Sequence, residues 1–239
     1  MNNMLLERLL QEQTSQLKGG IYHRTQIDFC YNSNHIEGSQ LTHEQTRYIF
    51  ETNTIGITEQ AVKIDDILEA INHFKAFDAM LECATEPLTQ EMIKTFHGIL
   101  KADTSDSNKD WFAIGDYKKL PNEVGGNATT LPENVEQEMT ALLVDYHQKQ
   151  TKTFRDLVDF HWRFETIHPF QDGNGRIGRL LLFKECLANN IVPFIITEQL
   201  RWFYYRGLQN WQQTEGFLLD TCLTAQDEYK AVMAYFRIC

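Results

Sequence analysis

The 239-residue chain carries 22 basic and 33 acidic side chains, a formal net charge of −11 at pH 7. Nucleic-acid binding needs a basic surface that displaces counterions from phosphate, so this charge balance argues against a nucleic-acid partner. Hydrophobic residues make up 42% and aromatic residues 12% of the chain, which is enough to form one packed domain.

The first residues and the cysteines indicate where the protein resides. The leucines of MNNMLLERLLQEQ alternate with charged and amide side chains, unlike the continuous apolar core of a signal peptide. No apolar run approaches the ~20 residues of a membrane helix. The five cysteines form no C-x-x-C pair, as is typical of reduced thiols. We therefore expect a cytoplasmic protein with no membrane partner.

Apolar residues recur at helical spacing along most of the chain. The predicted helices cover residues 2–17, 23–36, 42–52, 58–84, 89–100, 133–148, 153–167, 175–190, 197–211 and 216–236. Local signals support several ends: Gly19-Gly20 and Gly38 follow helices, and Thr42-x-x-Gln45 has the form of a capping box.

The stretch 101–132 breaks this pattern with glycine, proline, serine and asparagine. Within it, 111–117 and 121–126 read as short extended pieces with a turn, which predicts a small hairpin. The prediction is an all-α helical bundle with a β-hairpin flap at about 111–128. It has an N-terminal helical region (1–57), a core domain (58–200) and C-terminal helices (201–239) that complete the same globular unit.

The segment 168–179, HPFQDGNGRIGR, has the pattern of an anion site. Pro169 disfavours helical dihedrals at the residue before it, so His168 should end the preceding helix. Gly173 and Gly175 permit a tight turn that opens into an apolar helix. Such a turn directs free backbone N–H groups at one point, which suits phosphate.

Four side chains around this turn could carry out chemistry on a bound phosphate. Arg176 and Arg179 can reach different oxygens of a polyphosphate. Asp172 is a hard oxygen ligand that suits Mg²⁺. His168 can accept a proton from an attacking hydroxyl. The combined spacing predicts a phosphoryl- or nucleotidyl-transfer site.

Plainer interpretations of the same residues stay open. His168 taken alone could simply end a helix, and a Gly-Asn-Gly turn alone says little. His161, Glu165 and His168 are spaced i, i+4, i+7, as a metal site on one helical face would be. We favour a packed or partnered core role for His161, because Pro169 takes His168 off that face.

The run from His168 to Arg179 resembles the motif of the Fic family, H-x-F-x-[DE]-G-N-G-R-x-x-R, at every defined position. The resemblance extends over most of the chain: the helices of residues 60–200 match the Fic core, and 115–126 its target-docking flap. It implies transfer of AMP from ATP to a Ser, Thr or Tyr hydroxyl of a target protein, and of the enzyme itself, with release of pyrophosphate.

Carried onto this sequence, the resemblance implies a role for each motif residue. His168 would be the general base, and Asp172 would hold Mg²⁺, with Mn²⁺ as a substitute. The phosphates would be bound by the turn and the helix that follows, through Gly173, Asn174, Gly175, Arg176 and Arg179, with Arg179 at the γ-phosphate.

Two further regions carry implied roles. Tyr204-Tyr205 resembles a tyrosine pair near the adenine in some relatives, with packed aromatics as the open alternative; Gln212 stands where some relatives have asparagine. The flap would align a target segment by strand pairing through Lys118, Lys119, Leu120, Pro121, Asn122, Glu123 and Val124.

An upstream segment, Ser33 to Gly38, is similar to the family's inhibitory motif [ST]-x-x-x-E-[GN]. Its i, i+4 spacing places Ser33 and Glu37 on one helical face, and Gly38 ends the helix. The resemblance, to the class of Fic proteins with an N-terminal inhibitory helix, implies that Glu37 pairs with Arg179. That pair would occupy the γ-phosphate site and keep ATP from binding productively.

Our leading hypothesis is a protein adenylyltransferase restrained by Glu37, with ATP and a hydroxyl-bearing protein as partners. Two alternatives stay open. The same site could chiefly remove AMP, or the chain could be a low-turnover nucleotide-binding module of the toxin–antitoxin type. Transfer of phosphate or phosphocholine ranks below these. Relatives often dimerise, so a homodimer is one expected assembly.

Overall fold

Helices form most of this chain. The computed structural model describes residues 4–56 and 61–238. Its helices are α1 (Met4–Ser15), α2 (Ile21–Ile36), α3 (His43–Thr52), α4 (Ile64–Glu82), α5 (Gln90–Leu100), α6 (Pro132–Gln148), α7 (Phe154–Ile167), α8 (Asn174–Ala188), α9 (Arg201–Asn210) and α10 (Gly216–Tyr235). The strands are β1 (Glu123–Val124) and β2 (Asn127–Ala128). The predicted all-α fold with a small hairpin is confirmed. In these residues, no helix is both long and apolar enough to cross a membrane.

Two of the predicted helix boundaries need correction. Helix α4 was expected to begin at residue 58 and begins at Ile64; residues 57–60, which include the expected boundary between the first two segments, lie outside the described part of the chain. The predicted helix 197–211 divides into a 3-10 turn, Glu198–Leu200, followed by α9. The capping box at Thr42 is confirmed, since its hydroxyl accepts the Gln45 N–H and the Gln45 side chain accepts the Thr42 N–H.

The hairpin lies nearer the C-terminal end of the flap than predicted. Glu123 pairs with Ala128, and Val124 pairs with Asn127. The two residues between the strands, Gly125-Gly126, have φ of 58° and 80°. Two consecutive positive φ angles make a tight hairpin turn that glycine favours. Residues 111–117 are not a strand, because Phe112 and Tyr117 are buried there and the backbone turns to bring them inward.

Helix α8 is the central helix of the bundle. Every residue from Asn174 to Leu187 except Gly175 is buried, as expected of a helix covered on all sides. It contacts α2, α4, α5 and α7. Three phenylalanines meet at its middle: the ring centroid of Phe183 lies 5.4 Å from that of Phe29 and 5.3 Å from that of Phe77. This packing fixes the position of the α8 N-terminus, where the glycine-rich turn ends.

The close approach of α9 and α10 depends on Gly207. A Cβ atom added there would lie 2.7 Å from Leu218 Cα. Gly207→Ala should therefore lower the free energy of unfolding by about 1–3 kcal/mol, as overpacking does. Gly216→Ala is the matched control, because a Cβ there meets nothing within 4 Å; it should be neutral or stabilising by up to about 1 kcal/mol. Urea denaturation measures both, and equal effects would contradict this account of the interface.

Candidate active site

The turn between α7 and α8 begins at His168. The His168 N–H donates to Phe164 O at 3.0 Å, and its backbone lies in the left-handed region at φ 52°, ψ 62°. It therefore leaves the helix, as Pro169 predicts, although it enters the left-handed region instead of an extended one. Gly173 is also left-handed at φ 85° and leads into α8. The chain thus reverses direction within six residues.

Free backbone N–H groups converge where α8 begins. The first helical hydrogen bond joins the Ile177 N–H to Gly173 O, so the N–H groups of Asn174, Gly175 and Arg176 have no acceptor within the helix. The helix dipole adds positive potential at the same point. Helix N-termini with this backbone geometry bind anions, and the anion cradle at this point stays a prediction.

Asn174 has a different role from the one expected. Its Oδ1 accepts the Phe170 N–H at 2.8 Å, and its Nδ2 donates to Phe170 O at 2.8 Å. Both polar atoms of this buried side chain are therefore engaged within the loop. The expectation that the side chain binds phosphate is corrected: it closes the turn, and Asn174 offers its backbone N–H to an anion.

His97 on α5 packs against the same turn and is hydrogen-bonded to it. Its ring stacks on that of Phe170 at a centroid distance of 3.9 Å. Its Nδ1 accepts the Gly115 N–H, so its Nε2 carries the proton and donates to Asp172 O at 3.2 Å. Burial lowers the pKa of His97 to about 4, which keeps the ring neutral. His97 thus ties the turn to the start of the flap.

Asp172 lies beside the cradle, and one of its carboxylate oxygens already accepts hydrogen bonds. Its Oδ2 accepts from Lys101 Nζ at 2.7 Å and from Arg176 at 3.0 Å. Burial acts to raise the pKa of Asp172, but the charges of Arg176 and Lys101 outweigh it and hold that pKa well below its ordinary value. The side chain is 51% exposed, so its second oxygen is open to a metal ion. One carboxylate beside a phosphate cradle fits Mg²⁺, which is commonly bound by one or two carboxylates plus phosphates.

Arg179, one turn further along α8, is bound by the C-terminal end of α2. Its guanidinium donates to Ser33 Oγ at 3.0 Å, to Ser33 O at 2.8 Å and to Glu37 Oε1 at 2.7 Å. Arg179 is 3% exposed and Glu37 31% exposed. Burial acts to lower the pKa of Arg179, but the Glu37 carboxylate outweighs it and raises that pKa. The predicted pairing of these two side chains is present.

The same glutamate also covers the cradle. A Cβ atom built on Gly175 would overlap the Glu37 carboxylate, so this carboxylate rests against the first turn of α8. Gly38, which follows, has φ of 100°, a conformation that glycine permits and that ends α2. An anionic group of the chain itself thus lies against the first turn of α8.

His168 can act as a base near neutral pH because it is held neutral. Burial lowers the pKa of His168 to about 4, and the charge of Lys118 acts in the same direction. The Glu165 backbone carbonyl acts in the opposite direction and does not restore the ordinary value. A neutral imidazole has a free lone pair that can accept a proton.

Residues 87–185 match the model of the Fic/DOC family. This segment is therefore similar to a Fic domain. It is 28% identical over 182 residues to the protein adenylyltransferase Fic of Nematostella vectensis, a match covering 74% of this chain and 41% of that one. The corresponding protein of Aedes aegypti is 28% identical over 186 residues, covering 77% and 36%. The chain thus spans about two fifths of the length of these curated relatives.

Solved structures show the same fold. A Fic domain containing signaling protein of Bacteroides thetaiotaomicron superposes with a TM-score of 0.71 at 23% identity, covering 96% of this chain and 92% of that one. Fic-1 of C. elegans gives a TM-score of 0.71 at 20% identity, covering 97% and 70%. The Fic fold therefore extends beyond the matched segment to the N-terminal helices that carry Glu37.

The alternative metal site on α7 is not supported. His161 Nε2 lies 2.8 Å from Tyr204 Oη and 4.0 Å from Glu165 Oε1. Burial lowers the pKa of His161 to about 3, in keeping with a core role. Among the residues that the structure describes, the acidic and histidine groups close enough to share a metal ion are Glu69, Asp106 and Asp172.

The two tyrosines of α9 differ in their surroundings. Tyr204 is 1% exposed and lies in the core beside His161, with Arg179 6.0 Å from its ring centroid. The expectation that Tyr204 contacts adenine is therefore corrected, and packed aromatics is the better description of it. Tyr205 is half-buried and donates to Ile36 O at 3.2 Å, so it contacts the segment Ser33 to Gly38.

The base of the flap is hydrogen-bonded to the turn, and the tip of the flap is exposed. Lys118 is buried: its N–H donates to Pro169 O, and its Nζ donates to Asn122 and Thr129. Asn122 also donates to Phe170 O. The expected role of Lys118 and Asn122 in contacting a target is corrected to anchoring. Of the seven flap residues predicted to align a target, five are exposed: Lys119, Leu120, Pro121, Glu123 and Val124.

Several residues of this site gave no local signal in the sequence. His97 on α5, Lys101 at its C-terminal cap and Glu69 on α4 contact the motif from about 70 to 107 positions away in the chain. Their spacing to the motif follows from the way the helices pack, so a pattern search along the chain does not find them. The motif itself contributes only their partner, Asp172, and its neighbours.

Glu165 makes stability depend on pH in a way that an exposed glutamate does not. Its Oε1 is buried with no hydrogen-bond partner, and burial raises its pKa from 4.5 to about 8. The native protein therefore keeps this proton between those two values while the unfolded chain releases it. The contribution of the protonated Glu165 to the free energy of unfolding is fully present below about pH 4.5 and is lost as the pH rises towards 8.

Glu165→Gln should remove this dependence, because an amide does not ionise. Relative to wild type, the free energy of unfolding of the variant should rise by about 3.5 kcal/mol between pH 5 and pH 8. Glu133→Gln, on the exposed face of α6, is the control and should show no such change. Urea denaturation at both pH values decides the matter. A constant difference between Glu165→Gln and wild type would show that the carboxyl is ionised throughout.

Proposed function

We propose that this chain is a protein adenylyltransferase that transfers AMP from ATP to a protein hydroxyl and is restrained by Glu37. The observation that carries the proposal is the Glu37 carboxylate at the α8 N-terminus, 2.7 Å from Arg179. An anion of the protein's own takes the place suited to a phosphate. The relatives named protein adenylyltransferase Fic support the type of reaction.

The cradle and the two arginines would bind the triphosphate. The N–H groups of Asn174, Gly175 and Arg176 would face phosphate oxygens at the positive end of the helix dipole. The Arg179 guanidinium, freed from Glu37, would take the terminal phosphate. Asp172 would hold Mg²⁺ or Mn²⁺ through its open oxygen, and the ion would supply further neutralisation of phosphate charge.

His168 would act on the target hydroxyl. As a neutral base it would take the hydroxyl proton while the target oxygen forms a bond to the α-phosphorus of ATP. The bond from that phosphorus to the bridging oxygen breaks, and pyrophosphate leaves with the electron pair. The chain's contribution is mainly positioning and charge stabilisation, as is general for transfers of phosphoryl groups.

The flap would present the target. The exposed Val124 and Leu120 lie on the segment whose base is anchored to the turn through Lys118. An extended target segment could add to the two-stranded sheet through backbone hydrogen bonds, a mode that reads little sequence. Because the anchor is the loop that follows His168, a segment bound there is fixed relative to the base.

Restraint would arise from competition between two anions. The Glu37 carboxylate and a terminal phosphate would both need the buried Arg179, and they would repel each other if both were present. The hydrogen bond from Tyr205 to Ile36 O and those from Arg179 to Ser33 keep Glu37 in place. Loss of the Glu37 side chain should therefore open the site without removing any group that acts on ATP.

Glu37→Gly should raise the incorporation of labelled AMP into protein by about 10-fold or more over wild type, because it removes the competing carboxylate. Incubation with α-labelled ATP and Mg²⁺, followed by gel autoradiography, measures the labelling of the enzyme and of added proteins. Glu44→Gly removes an exposed glutamate whose partner is Arg47; this control should leave labelling at the wild-type level.

His168→Ala in the Glu37→Gly background separates transfer from binding. It should abolish labelling while the variant still binds ATP. Labelling by Glu37→Gly no greater than that of this double variant would contradict the proposed activity. Release of AMP from a modified protein, in place of its attachment, would show that the site works chiefly in the opposite direction.

The pH dependence of the Glu37→Gly variant reports on His168. Because the pKa of His168 is lowered to about 4, its base form persists well below the pH at which an ordinary histidine is protonated. The second-order rate constant kcat/KM should stay level from pH 8 to pH 6 and fall by half near pH 4. Circular dichroism at each pH checks that the protein stays folded. A fall centred near pH 6.5 would show that the base is not held neutral.

A further inference from the structure

A buried lysine occupies the centre of an acidic cluster beside the site. Lys101 Nζ lies 2.6 Å from Glu69, 2.6 Å from Asp106 and 2.7 Å from Asp172. Oxygens of these three carboxylates all lie within 4.8 Å of one another, a grouping that could hold a metal ion. All three protons of the ammonium therefore have carboxylate acceptors. The lysine is in the position that a cation would take.

The surrounding structure holds Lys101 in this position. It is the C-terminal cap of α5, its N–H donates to His97 O, and it is 2% exposed. Asn72 on α4 donates to the carbonyls of the residues on either side, Leu100 and Ala102. The negative end of the α5 dipole favours a cation here. The Phe112 ring, 5.5 Å from Nζ, lines another side.

The charges of the cluster balance only when the lysine is counted. Three carboxylates face three cations: Lys101; Arg176, which pairs with both Glu69 and Asp172; and Lys109, which pairs with Asp106. Without Lys101 the cluster would carry an excess of one negative charge, which a bound cation would compensate.

We propose that Lys101 is a positioning residue, a built-in cation that fills the Glu69–Asp106–Asp172 cluster and so prevents a divalent ion from binding there before nucleotide arrives. Its ammonium binds Oδ2 of Asp172 and directs the open oxygen of that carboxylate towards the cradle. The metal ion then has a single protein carboxylate and depends on phosphate oxygens for the rest of its binding. Metal and nucleotide therefore bind together.

This inference rests on the proposed function only for the identity of the nucleotide. The effect of Lys101 on metal binding is testable with no nucleotide and no reaction, so it can fail or succeed separately. The probe is Mn²⁺, whose free concentration is measured by electron paramagnetic resonance in titrations of the folded full chain.

Lys101→Met should create a metal site that the wild type lacks. The variant should bind about one Mn²⁺ per chain without nucleotide, at least about 10-fold more tightly than wild type. Lys101→Arg keeps the positive charge and should bind as weakly as wild type. In Lys101→Met, a second change, Glu69→Gln, removes one ligand and should abolish the gain.

Lys94→Met is the matched control. Lys94 lies on the same helix and pairs with one carboxylate, that of Asp116, at 2.7 Å; its loss should not affect Mn²⁺ binding. With ATP added, wild type should bind Mn²⁺, and the difference in Mn²⁺ affinity between wild type and Lys101→Met should shrink.

A variant that loses the lysine could also lose stability, and thermal unfolding with and without Mn²⁺ covers that case. Mn²⁺ should raise the melting temperature of Lys101→Met and leave that of wild type unchanged, since an ion that binds only the native state stabilises it. The proposal is overturned if Lys101→Met binds Mn²⁺ no more tightly than wild type and gains no melting temperature from it. It is equally overturned if wild type binds Mn²⁺ tightly without nucleotide.

Discussion

The burial of Arg179 is the constraint on which the arrangement of the site depends. A buried guanidinium is costly unless its charge and its hydrogen-bond donors are satisfied. Helix α8 is covered on all sides, so its second arginine finds partners on α2: two at Ser33 and one at Glu37. The need to satisfy Arg179 thus holds α2 against α8 and brings a carboxylate to the phosphate cradle. Under the proposed function, the terminal phosphate of ATP would satisfy the same cation, and the contact with Glu37 would be exchangeable.

Most other titratable groups near the turn are either uncharged or paired with an opposite charge. His97, His161 and His168 are all held neutral by burial, and the raised pKa of Glu165 keeps its proton on near neutral pH. The ionised groups are gathered into two sets, one around Arg179 and one around Lys101. Since Glu165 is uncharged, Glu37 is the carboxylate that compensates Arg179 within the described residues. Under the proposed function, this division explains how a single glutamate at the end of α2 would govern the site.

Much of the fold and of the catalytic motif follows from local sequence. Helices with regular apolar spacing were predicted closely, and Gly125-Gly126 marked a hairpin turn because two positive φ angles in succession favour glycine. The motif from His168 to Arg179 lies within one turn and one helix, so its geometry is set by local rules. The extended piece at 111–117 was wrongly predicted because burial of Phe112 and Tyr117 overrides local preference. His97, Lys101 and Glu69 could not be found, since only tertiary packing brings them to Asp172. Tyr204 and Lys118 were given contact roles because a sequence does not show which polar side chains are buried.

The central claim is that Glu37 and ATP compete for Arg179, and a double-mutant cycle on ATP affinity tests it most directly. Isothermal titration calorimetry would measure ATP binding to wild type, Glu37→Gln, Arg179→Met and the double variant, each in the His168→Ala background to prevent turnover. Glu37→Gln should tighten ATP binding by about 10-fold when Arg179 is present and should have little effect on ATP binding in the Arg179→Met background. An equal effect of Glu37→Gln in both backgrounds, or none in either, would contradict it.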